Sequence, residues 1–96
     1  MTITKSENGN ETTLSLEGWL DTQSAPQLQD AINELGDETE SLIIDLEKLE
    51  YIASSGVRAL VAAYKKMQGN LTVKNSSPEV MSIFKATGID KKIRFE

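Results

Sequence analysis

Leu42-Ile43-Ile44-Asp45-Leu46, followed by Tyr51-Ile52-Ala53-Ser54-Ser55-Gly56-Val57-Arg58, decides how this chain folds. The first stretch is an apolar run carrying a single carboxylate, the composition of a central strand covered on both faces. Asp45 then falls at the strand's end, and Leu49 to Ala53 reads as the loop that follows. Ser54-Ser55-Gly56 opens a segment, about Gly56 to Met67, in which Val57, Leu60, Val61 and Tyr64 recur at helical spacing. Ala59, Ala62 and Ala63 let that helix approach its neighbours closely. A hydroxyl pair therefore sits where a strand-to-helix loop becomes a helix.

The flanking sequence repeats the alternation. Upstream, Thr2 to Glu7 reads as an edge strand, and Asn8-Gly9 marks a tight hairpin. The return strand, Glu11 to Trp19, puts Leu14 and Leu16 on one face and Thr13, Ser15 and Glu17 on the other. Gly18 breaks it near its end, with Trp19 and Leu20 continuing the apolar lining or one of them partly exposed at the strand exit. A first helix is expected from Ala25 to Leu35: Ser24 and Gln27 have capping-box spacing, Pro26 suits the first turn, and Gly36 supplies a stop. Downstream, Gly69-Asn70 leads into the strand Leu71-Thr72-Val73. Ser77 and Pro78 begin a third helix with Val80, Ile83, Phe84 and Thr87 inward, and Gly88 ends it. Ile93 and Phe95 add a short edge strand. The fold class is α/β: a small mixed sheet with an N-terminal hairpin, a parallel centre and about three helices, in one domain spanning 1–96.

Composition narrows the chemistry. The chain has 96 residues, no cysteine and no histidine, which removes thiol nucleophiles, histidine triads and the commonest zinc ligands. Its net charge of −5 opposes direct nucleic-acid binding, which needs lysine and arginine against phosphate. Lys65-Lys66 and Lys91-Lys92-Ile93-Arg94 read as solvated faces. No apolar run approaches the ~20 residues that span a bilayer, so a cytoplasmic protein without membrane insertion is expected. There is no Gly-x-Ser-x-Gly elbow, phosphate-binding loop or dinucleotide fingerprint. No catalytic residue, cofactor or metal ligand is assigned: glutamates such as Glu47 and Glu50, and the Asp37, Glu38 and Glu40 cluster, describe wet loops. The expectation is a protein that is not an enzyme.

Two readings of Ser54-Ser55 stand. One serine is an ordinary helix cap, and if Ser54 takes that role Ser55 occupies the first helical position with its hydroxyl outward. The second reading is a switch. A phosphoserine there adds roughly −1.5 to −2 charges beside first-turn amides and the positive end of the helix dipole, which tolerate a dianion. The same charge would repel an acidic or apolar partner surface.

The segments Leu16-Glu17-Gly18-Trp19-Leu20-Asp21, Ala25-Pro26-Gln27-Leu28, Leu42 to Leu46, Tyr51 to Arg58 and Asn75 to Val80 resemble, in this order, the STAS domain family, particularly free-standing bacterial anti-sigma factor antagonists. The resemblance covers nearly the whole chain. It implies partner switching: the unmodified protein binds an anti-sigma factor, a serine kinase of the GHKL type, and frees the sigma factor. The kinase phosphorylates the antagonist, which dissociates, and a PP2C-like phosphatase resets it. It also implies that Ser55 is the phosphate acceptor and that Asp21, Thr22, Ala53, Ser54, Ser55, Gly56, Val57 and Arg58 form the partner-binding region. One departure stands out. Many members carry an acidic residue two positions before the acceptor, where this chain has Ala53; the missing carboxylate changes how the loop is held or how the kinase orients the hydroxyl, and Asp45, at the end of its strand, is not assumed to replace it. A second class keeps the fold but not the switch: a constitutive adaptor in a larger assembly, such as a regulatory subunit of a lipid-transport ATPase. Monomer and weak dimer both fit, because exposed edge strands can pair.

Overall fold

The computed structural model describes residues 1–96. β1 (Thr2–Asn8) and β2 (Glu11–Leu20) form an antiparallel hairpin in which Asn8 faces Glu11, so the turn is Gly9-Asn10, one residue later than the sequence suggests. α1 (Ala25–Asn33), β3 (Ser41–Ile52), α2 (Ser54–Lys66), β4 (Leu71–Lys74), α3 (Pro78–Thr87), a 3₁₀ turn at Ile89–Lys91 and β5 (Arg94–Phe95) complete the chain. The strands lie in sequence order, β1-β2-β3-β4-β5, and every pairing after the hairpin is parallel. This is the mixed sheet with three α-helices that the alternation predicts.

The core lies on one side of the sheet. Leu14, Leu16 and Leu20 of β2, Leu42, Ile44 and Leu46 of β3, and Leu71 and Val73 of β4 are buried with Leu28, Ile32, Leu60, Ala63, Val80 and Phe84 from the helices. Their alternate neighbours, Thr13, Ser15, Ile43, Asp45 and Thr72, are only half-buried. β3 is therefore central but not covered on both faces: the chain is too short to lay helices over the second. Lys66 joins the helices by donating from Nζ to the Ile32 carbonyl, 2.8 Å away, which satisfies a carbonyl near the C-terminal end of α1. One member of the basic pair read as a solvated face thus ties two helices together.

Three expectations need correction, and two have one cause. Leu49 to Ile52 is not loop; β3 runs on to Ile52. Gly18 does not break β2, which continues to Leu20. The strands stay paired because β3 bulges twice, between the Ser15–Asp45 and Glu17–Lys48 pairs and between the Gly18–Leu49 and Trp19–Tyr51 pairs. Extra residues in one strand restore register at the next pair, while Gly18, at φ +102°, takes a conformation open mainly to glycine. Asp45 lies inside β3 at the first bulge, where Oδ1 accepts from Glu47 N–H and from Asn75 Nδ2, both at 3.0 Å. That carboxylate satisfies an amide displaced by the bulge. Seven residue-to-residue steps of strand, at ~3.3 Å each, separate it from Ile52, so it does not stand in for an acid at Ala53.

Candidate functional site

β2 and β3 finish side by side, with Leu20 opposite Ile52, and Ala53 N–H donates to the Leu20 carbonyl at 2.9 Å. The loops that follow, leading into α1 and α2, therefore emerge together at the carboxyl ends of parallel strands, the usual position for function in α/β sheets. Asp21 shapes the first loop. Its Oδ1 accepts from Gln23 N–H at 3.1 Å, Ser24 N–H at 3.0 Å and Ser24 Oγ at 3.0 Å. These donors favour the ionised carboxyl and lower its pKa, the backbone N–H of Ser24 most strongly, against a smaller opposing effect of desolvation.

Ser24 does not cap α1 through its side chain. Its Oγ accepts from Asp21 N–H at 2.9 Å and shares its one proton between the Trp19 carbonyl, 2.7 Å away, and Asp21 Oδ1, so it is committed to the end of β2. α1 also stops at Asn33, two residues short of the expected Leu35, although Leu35 remains buried.

The second loop is shorter still. α2 begins at Ser54 with Ala53 as its N-cap residue, and no side chain caps it. Neither serine therefore serves as the cap: Ser54 is the first helical residue, and Ser55 the second. Gly56 N–H and Val57 N–H both return to the Ala53 carbonyl, at 2.9 and 3.1 Å, leaving the Ser54 and Ser55 amides as the unclaimed donors of the first turn. Ser55 is half-buried, and its Oγ lies 3.2 Å from Thr22 Oγ1, so the hydroxyls of the two loops meet at the surface.

The expected partner-binding residues divide by burial. Thr22, Ser54 and Arg58 are exposed, Asp21, Ala53 and Ser55 half-buried, and Gly56 and Val57 buried. A shallow cleft between the two helices is lined by Thr22, Ala25, Pro26, Gln29, Ser55, Arg58 and Ala59. Gly56 lets the start of α2 lie directly on the ends of β2 and β3: a Cβ there would lie 2.7 Å from Leu20 Cγ and 2.9 Å from Ile52 Cγ1. The site thus has a rigid floor and a hydroxyl-bearing rim. No group of three or more Asp and Glu side chains is placed to hold a metal ion.

Residues 2–96 match the STAS domain. The chain belongs to that family. This STAS domain is 29% identical over 86 residues to the anti-sigma-B factor antagonist of Bacillus subtilis, covering 86% of this chain and 79% of the relative. It is 32% identical over 68 residues to the anti-sigma-F factor antagonist RsfB of Mycobacterium tuberculosis, covering 70% of this chain and 56% of that protein. The crystal structure of an anti-sigma factor antagonist from Mycobacterium paratuberculosis superimposes with a TM-score of 0.89 at 28% identity, over 98% of this chain and 83% of that one.

Sequence reasoning missed one part of this end of the STAS domain. Tyr51, assigned to a loop, is paired across strands with Trp19, assigned to the apolar lining or to an exposed strand exit, and the two are the exposed large hydrophobic residues of the fold. A signal was present. The buried positions Leu42, Ile44, Leu46, Leu49 and Ile52 change spacing from two residues to three, as bulges in β3 would require.

Proposed function

We propose that this STAS domain is an anti-sigma factor antagonist working by reversible phosphorylation of Ser55. The observation that carries the reading is the Ser55 hydroxyl at the uncapped start of α2, against Thr22 and beside unclaimed amides. In the unmodified state the rim formed by Asp21, Thr22, Ala53, Ser54, Ser55 and Arg58, supported from below by Gly56 and Val57, binds an anti-sigma serine kinase of the GHKL type, and the sigma factor is released. Phosphoryl transfer from ATP forms the Ser55 Oγ–P bond in place of Oγ–H, breaks the bond between the β- and γ-phosphates of ATP, and yields ADP and a proton. The new dianion sits where amides and the helix dipole accept it, so the domain stays folded. Its cost falls on the partner's surface, where losing ~3 kcal/mol weakens binding about a hundredfold. A PP2C-like phosphatase hydrolyses the ester and restores the hydroxyl. The domain itself performs no catalysis, acts in the cytoplasm, and works as a monomer or weak dimer.

Incubation with the kinase and ATP should add one phosphoryl group, located at Ser55 by mass spectrometry. Ser55→Asp should remain folded and bind the kinase more weakly. Undiminished phosphorylation of Ser55→Ala would move the acceptor elsewhere. Ala53 is the observation that supports the second reading, a constitutive adaptor, because α2 lacks the acidic residue at its start. In that case the domain would co-purify with a transporter ATPase whether or not phosphatase had been applied.

A further inference from the structure

Trp19 and Tyr51 are 56% and 42% exposed, with ring centroids 5.1 Å apart and planes inclined at 47°. Their successors Leu20 and Ile52 are paired and buried, so alternation along the strands puts the rings on the face that no helix covers. The second bulge creates this pairing. With Gly18 opposite Leu49, unbroken register would set Trp19 against Glu50; the shift brings Tyr51 across instead. A solvent-facing aromatic pair held by a bulge contributes little to the core, and its position calls for a ligand.

Carboxylates surround it in the sequence of both strands. Glu17 is the preceding outward residue of β2 and Glu50 adjoins Tyr51, whereas Lys48 lies opposite Glu17; the Asp21 carboxylate is turned into its own loop toward Gln23 and Ser24. The ion pairs of the fold, Lys5–Glu7 and Lys74–Glu96, use none of them. The patch lies at the same end of the sheet as the Ser55 site but on the opposite face: Ser24 Oγ bonds the Trp19 carbonyl, and Ala53 follows the β3 end that carries Tyr51.

We infer that Trp19 and Tyr51, with Glu17 and Glu50 beside them on the strands, form a docking surface for an arginine-bearing segment of the protein partner. A guanidinium stacks on aromatic faces and pairs with carboxylates at once. A second copy of this chain would bring the same acidic rim into like-charge contact, and nucleic acid would bring phosphate against carboxylate. The inference rests on the partner-switching reading and adds to it a surface that phosphorylation does not alter chemically.

The test uses the full chain, ¹⁵N-labelled, titrated with a short glycine–arginine peptide and with its citrulline counterpart, which keeps the shape and loses the charge. The chain has one tryptophan, so its indole N–H is a unique reporter. The arginine peptide should give saturable shifts centred on Trp19 and Tyr51, with affinity at least about fivefold above that of the citrulline peptide. Trp19→Ala should lower that affinity to a similar degree, read at Tyr51, and Ser55→Ala should leave it unchanged. Equal response to the two peptides, or shifts spread evenly over the acidic surface, would overturn the inference. So would changes in the Trp19 signal with protein concentration alone, which would assign the patch to a second copy. None of these readouts needs the kinase or a phosphate, so their failure leaves the Ser55 assignment standing; loss of that assignment is seen only in the phosphorylation experiment.

Discussion

The starts of α2 and α3 are built in opposite ways. α3 has a full set of capping devices: Ser77 Oγ accepts from Val80 N–H at 3.2 Å, Pro78 and Glu79 occupy the first turn, and Gly88 closes the far end in the left-handed conformation at φ +79°. α2 has Ala53 at its cap, no acid in its first turn, and two serines that bond neither to one another's amides nor to the turn. A helix whose start only supports the fold is sealed by its own side chains. α2 is instead held by what lies beneath it, Gly56, Val57 and Leu60 against β2 and β3, and its exposed donors remain open.

The difference is broken most completely by Ser55→Ala. That variant should lose all phosphoryl incorporation by mass spectrometry while its urea midpoint stays within the range equivalent to about 0.5 kcal/mol, because an uncapping serine contributes little to stability. Gly56→Ala tests the packing that substitutes for a cap. The added methyl group meets Leu20 and Ile52, and urea unfolding should show a loss of about 1–3 kcal/mol.

Smaller effects sharpen the contrast. Ser77→Ala should destabilise the protein by about 1 kcal/mol, and Ser54→Ala by less than half of that, since only the first removes a cap bond. Ala53 already has the extended backbone of a cap residue, φ −99° and ψ 171°. Ala53→Asp should therefore add about 0.5–1 kcal/mol in thermal unfolding, by supplying the acceptor that α2 lacks. The acidic residue of the family pattern falls on this cap position, so its loss here is first a loss of helix capping.

The mildest test is acid titration of the β2–α1 loop. Asp21 has a pKa lowered from 3.8 by its hydrogen bonds to Ser24 and Gln23. Its stabilising contribution is thus fully present above that ordinary value and disappears as the pH falls through the lower folded-state pKa. Trp19 fluorescence, reporting through the Ser24 bond to its carbonyl, should change in that acid range and should lose this step in Asp21→Ala.

Much of the architecture was legible because it is local. Asn8-Gly9-Asn10 turns the hairpin, Ser77-Pro78 and Gly88 bracket α3, and apolar residues at helical spacing mark the buried faces of α1 and α2. The location of Ser55 near a helix start was legible for the same reason. Its standing as second residue of α2 was not, because Ser54 and Ala53 can each begin a helix, and the choice depends on Ala53 N–H binding the Leu20 carbonyl of another strand. Ser24 misled in the same way: capping spacing was present, but the end of β2 offered its hydroxyl other partners.

By itself the sequence determined the order of strands and helices, the side of each that is apolar, and the hydroxyl pair near the start of α2, since periodicity and turn chemistry act over a few residues. The tertiary structure decided that Thr22 faces Ser55, that Asp45 serves a bulge, and that Trp19 stands beside Tyr51 in solvent. Each of those outcomes depends on register between strands distant in the chain, where one added residue changes which side chains meet and which face carries them.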